Sequence, residues 1–280
     1  MKKNMNVSLL AGASKILLLP ALLTGFCSIA RADTDTWPAY AKYLDKYYTL
    51  DSHIKHDITC KIEISSLKQL EDRLKTLPAN FAVTDKSENF RLVYKTDGSM
   101  DFLDTPTLDI QIKSTDGMEN PGLAEEGAKN AKIGFDMIVG GSTNVLRNIL
   151  NEYTSVKQSQ FENPHFFENG DKAVIDFTRT NLKGSMSYEG DKRHTELSGS
   201  GLSIKTDDVY ALIDGKLAFS SSRQEILQGQ ALSKVITDVH FKKIGAVSFP
   251  TLITSTVDSQ TGPQSMKTQV EIHLNDCRTE

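Results

Sequence analysis

The 280-residue chain carries none of the short catalytic signatures. It has no Gly-x-Ser-x-Gly elbow, no His-Glu-x-x-His and no Walker-type Gly-x-x-x-x-Gly-Lys. Cysteine is scarce, with three in all and no Cys-x-x-Cys, so the usual mark of a reactive dithiol is missing. An excess of positive charge is also missing. The net charge of −4 argues against nucleic acid as a partner, because phosphates demand clustered Lys and Arg. It gives no general attraction to anionic headgroups either. After residue 32 no run is long and apolar enough to span a membrane.

What is present begins with an export signal. Lys2 and Lys3 form a positive n-region, an apolar run extends from Val7 to Ile29, and Ala30-Arg31-Ala32 is a small-x-small site. The expected cut falls between Ala32 and Asp33. Lys15 interrupts the run and leaves it too short for an anchor. Cys27 follows Phe26, which fits a lipoprotein site poorly. Cleavage leaves residues 33–280, read as a single domain outside the cytoplasm, in a bacterial periplasm. The segment removed holds four cations and no acids, so the net charge falls from −4 to −8. A chain of this length can bury a full core.

Cys60 and Cys277 are the two cysteines left after the cut. In an oxidising compartment an isolated pair reads as a disulfide. Its rival is two free reactive thiols. Cys277 falls out of phase with Val270, Ile272 and Leu274, so the bridge needs a bulge or a turned strand end.

Periodicity predicts a tyrosine-rich helix over 36–55, then a strand through Ile58, Cys60, Ile62 and Ile64. Ser66 and Gln69 predict a capping box for a helix over 66–77. Thr96-Asp97-Gly98-Ser99 marks a hairpin. A helical stretch over 121–153 is opened by Pro121 and is expected to break at Gly140-Gly141, with Ser142 or Thr143 capping a second helix. From Val156 the chain reads as antiparallel sheet, with a strong hairpin at Asp214-Gly215 and a turn-rich loop over 258–263. The fold class is α+β: a large antiparallel sheet with helices laid against one face.

No constellation supports catalysis, a cofactor or a metal. His53-x-x-His56-Asp57 is the most metal-like cluster, but it sits at a helix-to-strand transition with no further ligand nearby in sequence. His165, His194, His240 and His273 are scattered through the strands. Ser65-Ser66-Leu67-Lys68 matches Ser-x-x-Lys without the companion elements. Ser198-Gly199-Ser200-Gly201 reads as a loop between strands. Asp207-Asp208 and Glu125-Glu126 are adjacent acids, which point in different directions and are ordinarily solvated.

The stretch from Val209 to Cys277 carries a resemblance. A strand leads through Asp214-Gly215 to a second strand. Val239-His240-Phe241-Lys242-Lys243, then Phe249-Pro250-Thr251-Leu252-Ile253, follow. A polar turn with Gly262 precedes the closing strand Thr268–Leu274. This resembles the end of the LolA/LolB-like periplasmic carrier superfamily, which includes RseB-type sensors. The resemblance implies an open half-barrel, with helices over a concave apolar face that holds acyl chains. It also implies an arginine inside the cavity, for which Arg91 and Arg179 are the candidates. No functional residue transfers by motif match. The expectation is a non-enzymatic protein that binds a lipid, a lipoprotein or another apolar ligand. The rival is a cell-envelope interaction or structural protein with a solid core and no ligand cavity.

Overall fold

The computed structural model describes residues 36–77, 80–116, 120–262 and 264–280. The signal segment, its cut site and Cys27 lie outside the described residues. Among the described residues, fourteen strands and three α-helices follow one another in an α+β order. Twelve strands form one antiparallel sheet. Its spatial order begins with Met100–Leu103 (β4), Arg91–Tyr94 (β3), Ile58–Ile64 (β1) and Gln264–Thr279 (β14). It continues through Val247–Thr261 (β13), Ala231–Ile244 (β12), Lys216–Gln228 (β11) and Leu202–Ile213 (β10). Lys192–Gly199 (β9), Leu182–Glu189 (β8), Lys172–Arg179 (β7) and Glu162–Asn169 (β6) complete it. Edge strands β4 and β6 do not pair, so the sheet stays open. Phe81–Lys86 (β2) and Thr107–Ile112 (β5) make a separate two-stranded sheet.

Alternation along the strands gives the sheet two chemically different faces. Ile58, Cys60, Ile62, Ile272 and Leu274 belong to the inner one, and all are buried. Across β9 to β14 the opposite, outer face carries a ladder of alternating charge. Register places Glu196, Lys205, Glu225, Lys234, Asp258 and Lys267 side by side on six successive strands. Lys205 bonds Glu196 at 3.1 Å, and Lys234 bonds Glu225 at 3.0 Å. Each such exposed pair contributes only about 0.2–1 kcal/mol. Their larger effect is on register, because a slipped strand would lose its opposite-charge partners.

The cysteine phase problem is solved by a bulge. Thr59 pairs with Arg278 but Lys61 pairs with Asn275, so Cys60 faces two residues of β14. Asp276 takes the extra place with φ 49°, and Cys277 turns onto the inner face. There it is disulfide-bonded to Cys60, with the Cα atoms 4.1 Å apart.

The helices correct several expectations. The first, Thr36–Leu44 (α1), is shorter than the predicted 36–55. Past Asp45 the chain turns extended: Tyr47 bridges Leu217, and the Tyr48 amide donates to the Leu217 carbonyl at 2.8 Å. The tyrosine spacing continues, but a strand partner takes the backbone. Ser65–Leu74 (α2) starts directly after β1. Its N-cap is Ile64, which has no side-chain cap, so the Ser66–Gln69 box does not form. Pro121–Asn151 (α3) runs unbroken through Gly140-Gly141, capped by Asn120 rather than interrupted. Ser142 is buried within it, and the Thr143 hydroxyl donates to the Val139 carbonyl at 2.8 Å. Burial of Phe135, Val139, Leu146 and Leu150 on one face outweighs the roughly 1 kcal/mol each glycine costs. The expected 258–263 loop is absent too: β13 and β14 extend to a tight turn at Gly262. Among the described residues, no helix is long and apolar enough to cross a membrane.

The hairpin expectations hold. Asp97-Gly98 joins β3 to β4, and Asp214-Gly215 joins β10 to β11 with both residues at positive φ. One glycine is demanded by packing instead. A Cβ on Gly184 would lie 2.4 Å from the Phe177 ring and 2.8 Å from Leu197 Cδ2. Gly184→Val is therefore expected to cost about 1–3 kcal/mol by overpacking. Urea unfolding checks this, and an unchanged midpoint would contradict it.

Candidate functional site

The inner face is the place where the fold brings unusual chemistry together. Residues of α1 and the turn after it supply Tyr40, Tyr43 and Tyr47, which close on Tyr188 of β8 and Tyr210 of β10. The Tyr40 and Tyr188 hydroxyls share a hydrogen bond of 2.7 Å. Burial pushes the phenols of Tyr40, Tyr47 and Tyr210 well above their ordinary range, so they stay neutral.

Beside this cluster lies a partly buried ionic triad. Arg193 Nε donates to Asp208 Oδ2 at 2.8 Å, and Nη2 donates to Glu152 Oε2 at 2.7 Å. The guanidinium also sits 5.6 Å from the Tyr210 ring centre. Asp208 is 2% exposed. Burial pushes its carboxyl up, and the Arg193 charge pulls it back. The triad ties the end of α3 to β9 and β10. Tyr153 adds a second tie by donating to the Phe219 carbonyl at 2.7 Å.

Away from the triad, register lays rows of side chains across the same face. Thr195, Thr206, Gln224, Val235, Val257 and Thr268 form one. Ser222, Thr237, Ser255 and Val270 continue the row that starts at Arg193 and Asp208. Gln224, Val235, Val257, Met266, Thr268 and Val270 are half-buried. The hydroxyls partly satisfy one another: Ser233 with Ser259 at 2.9 Å, and Thr237 with Ser255 at 3.3 Å. Gln224 Nε2 donates to Thr206 Oγ1 at 3.2 Å.

A concavity of about 460 Å³ opens on the outer face, over β6 to β9. Its polar rim includes His165, Asp176, Lys183, Ser185 and Glu196.

The residues singled out from sequence are mostly dispersed. Arg91 lies on the outer face beside Lys61 and bonds Asp104 at 2.8 Å, so it is not an interior arginine. Arg179 stands on the inner face by register, at the β7–β8 turn. Arg193, which sequence reasoning missed, is the arginine that the inner-face triad holds. His53 donates from Nδ1 to the Thr49 carbonyl at 2.6 Å and stacks on Tyr48, while His56 is exposed. His165, His194, His240 and His273 all fall on the outer face of different strands. Among the described residues, no group of three His, Cys, Asp or Glu is placed to hold a metal. Ser198-Gly199-Ser200-Gly201 is the β9–β10 turn, with Ser200 at φ 51°. The adjacent acids do diverge: Asp207 accepts from His194 on the outer face, and Asp208 points in. Asp208 is buried rather than solvated, because a strand alternates its faces and the partner Arg193 is already there.

Compared with protein-family models, with curated proteins and with solved structures, the chain matches none.

Proposed function

We propose that this is a non-enzymatic carrier of the bacterial periplasm that holds an apolar ligand, such as an acyl chain or a lipoprotein, along the inner face. In this reading the open sheet is a half-barrel and the helices cover its concave side. One observation carries the proposal: beyond the filled core, inner-face residues Val235, Val257, Met266 and Val270 remain only half-buried. Aliphatic side chains that the fold leaves partly wet on a sheet's packing face are what a bound chain would cover. The Cys60–Cys277 disulfide suits an oxidising compartment.

The test is native mass spectrometry of residues 33–280, with titration of N-phenyl-1-naphthylamine, an uncharged apolar probe. A co-purifying lipid or saturable probe binding is expected. A protein that carries no lipid and binds no probe refutes the carrier.

A second reading has its own support. The core is continuous from Leu92 on β3 to Phe177 on β7, with Tyr40, Phe135, Tyr153 and Phe249 almost wholly buried. The 460 Å³ concavity lies on the outer face. Both fit a cell-envelope interaction or structural protein, which is the reading that stands if the probe does not bind.

A further inference from the structure

The two faces of strands β11 to β14 differ in a way that bears on the ligand's chemistry. The outer face carries the Lys and acid ladder through Glu225, Lys234, Asp258 and Lys267. The inner face of the same strands, by register, carries no ionisable side chain among the described residues from Gln228 to Ser222, Ala231 to Phe241, Ile253 to Thr261 and Gln264 to Leu274. Its polar groups are hydroxyls and amides, among them Ser222, Gln224, Ser233, Thr237, Ser255, Ser259 and Thr268. The charges that do reach this face stand to one side, on β9 and β10. There Arg193 is already matched by both Asp208 and Glu152, which leaves an excess of negative charge. Arg179 stands at the far margin, four strands from β11, and is itself engaged.

A carboxylate or phosphate laid on this surface would lose its water and find no cation there. Among the strand side chains of this face, the nearest charges are those of the net-negative triad. An ester, amide or hydroxyl would find donors and acceptors at the spacing of the strands. Building on the carrier reading, we propose that the ligand is an uncharged amphiphile. Its acyl chain covers Val235, Val257 and Val270, and its neutral ester, amide or hydroxyl group meets the Ser/Thr rows. Free fatty acids and anionic lipids are discriminated against.

Monolaurin and laurate share one chain and differ in charge, so they separate the possibilities. Each displaces N-phenyl-1-naphthylamine from the residue 33–280 protein at pH 8, below its aggregation concentration. Monolaurin is expected to do so at a concentration roughly tenfold lower or more, the scale of one unpaired charge. A cation introduced on the face should reverse this order: Gln224→Lys, or Val235→Lys if the first folds poorly, should gain laurate binding roughly tenfold. Equal or tighter laurate binding by the unaltered protein overturns the inference and leaves the carrier standing. If that laurate binding is lost in Arg179→Met, the anion sits at the margin instead. Laurate binding unmoved by either lysine also overturns it, because the ligand then lies elsewhere. Failure of the probe itself to bind removes the carrier, and the inference with it.

Discussion

Arg193→Met is expected to destabilise the protein by about 3–5 kcal/mol, the scale set by removing one partner of a buried ion pair. The cost comes from what is left behind. Asp208, 2% exposed, keeps a charge with no counter-ion, and Glu152 loses its anchor at the end of α3. The pH dependence has a definite sign. Burial already pushes the Asp208 carboxyl up, and without Arg193 the main opposing influence is gone. A carboxyl whose folded pKa is raised contributes full stability below its unfolded pKa and loses it as pH rises through the folded value. The variant should therefore recover stability on acidification towards the ordinary carboxylate range. Arg193→Met with Asp208→Asn should recover part of the loss at pH 7.5, since the amide carries no charge to strand. Urea unfolding at pH 7.5 and pH 5 measures both. A single variant as stable as the parent at pH 7.5 would show that the triad contributes nothing net.

Cys60→Ser, Cys277→Ser or reduction with the fold intact is the second large effect. The bridge spans 217 residues of sequence. Constraining so long a loop in the unfolded chain is worth about 5 kcal/mol in the chain-entropy treatment. That is a large part of the roughly 5–15 kcal/mol by which proteins of this kind are stable. The reduced protein should unfold at a markedly lower urea midpoint, with the transition broadened if β1 detaches first. Equal midpoints for oxidised and reduced protein would place the stabilisation elsewhere. Non-reducing peptide mapping of the purified protein establishes the bridge itself.

How much of this was legible in the sequence depended on the strength of local signals. Ile58, Cys60, Ile62 and Ile64 alternate without exception, and β1 lies where they put it. Asp214-Gly215 specified its hairpin for the same reason: positive φ at both positions is cheap for that pair. Strands β6, β8 and β9 were harder to read. Leu182–Glu189 reads Leu-Lys-Gly-Ser-Met-Ser-Tyr-Glu, with no β-branched aliphatic, and is a strand because β7 and β9 flank it. The α3 glycines and the tyrosines after α1 misled for one shared reason. Backbone propensity is worth about 1 kcal/mol per residue, while tertiary partners such as Leu217 decide the backbone's hydrogen bonds.

The site was less legible than the fold. Arg193 sits in Lys192-Arg193-His194, where nothing marks one cation above its neighbour. A usable signal did exist on β10. Leu202, Ile204, Thr206, Asp208 and Tyr210 share one parity, and a carboxylate among buried positions demands a cation. Which cation answers depends on the register with β9, and that is a property of the pairing.

The pairing of β1 with β14 also orders events in time. The chain is made from its N-terminus, so Ile58–Ile64 emerges long before Gln264–Thr279. The meander from β6 onward needs only neighbours in sequence and can zip as it appears, each hairpin closing on the last. Strand β1 cannot take its place beside β14 that way, and Cys60 cannot form its native bridge until synthesis reaches Cys277. During that interval the growing sheet has an unpaired edge and an oxidisable cysteine exposed together. A cell making this protein would therefore feel the loss of a holding chaperone or of the thiol oxidant that closes the bridge at the late stage, after β14 has been made.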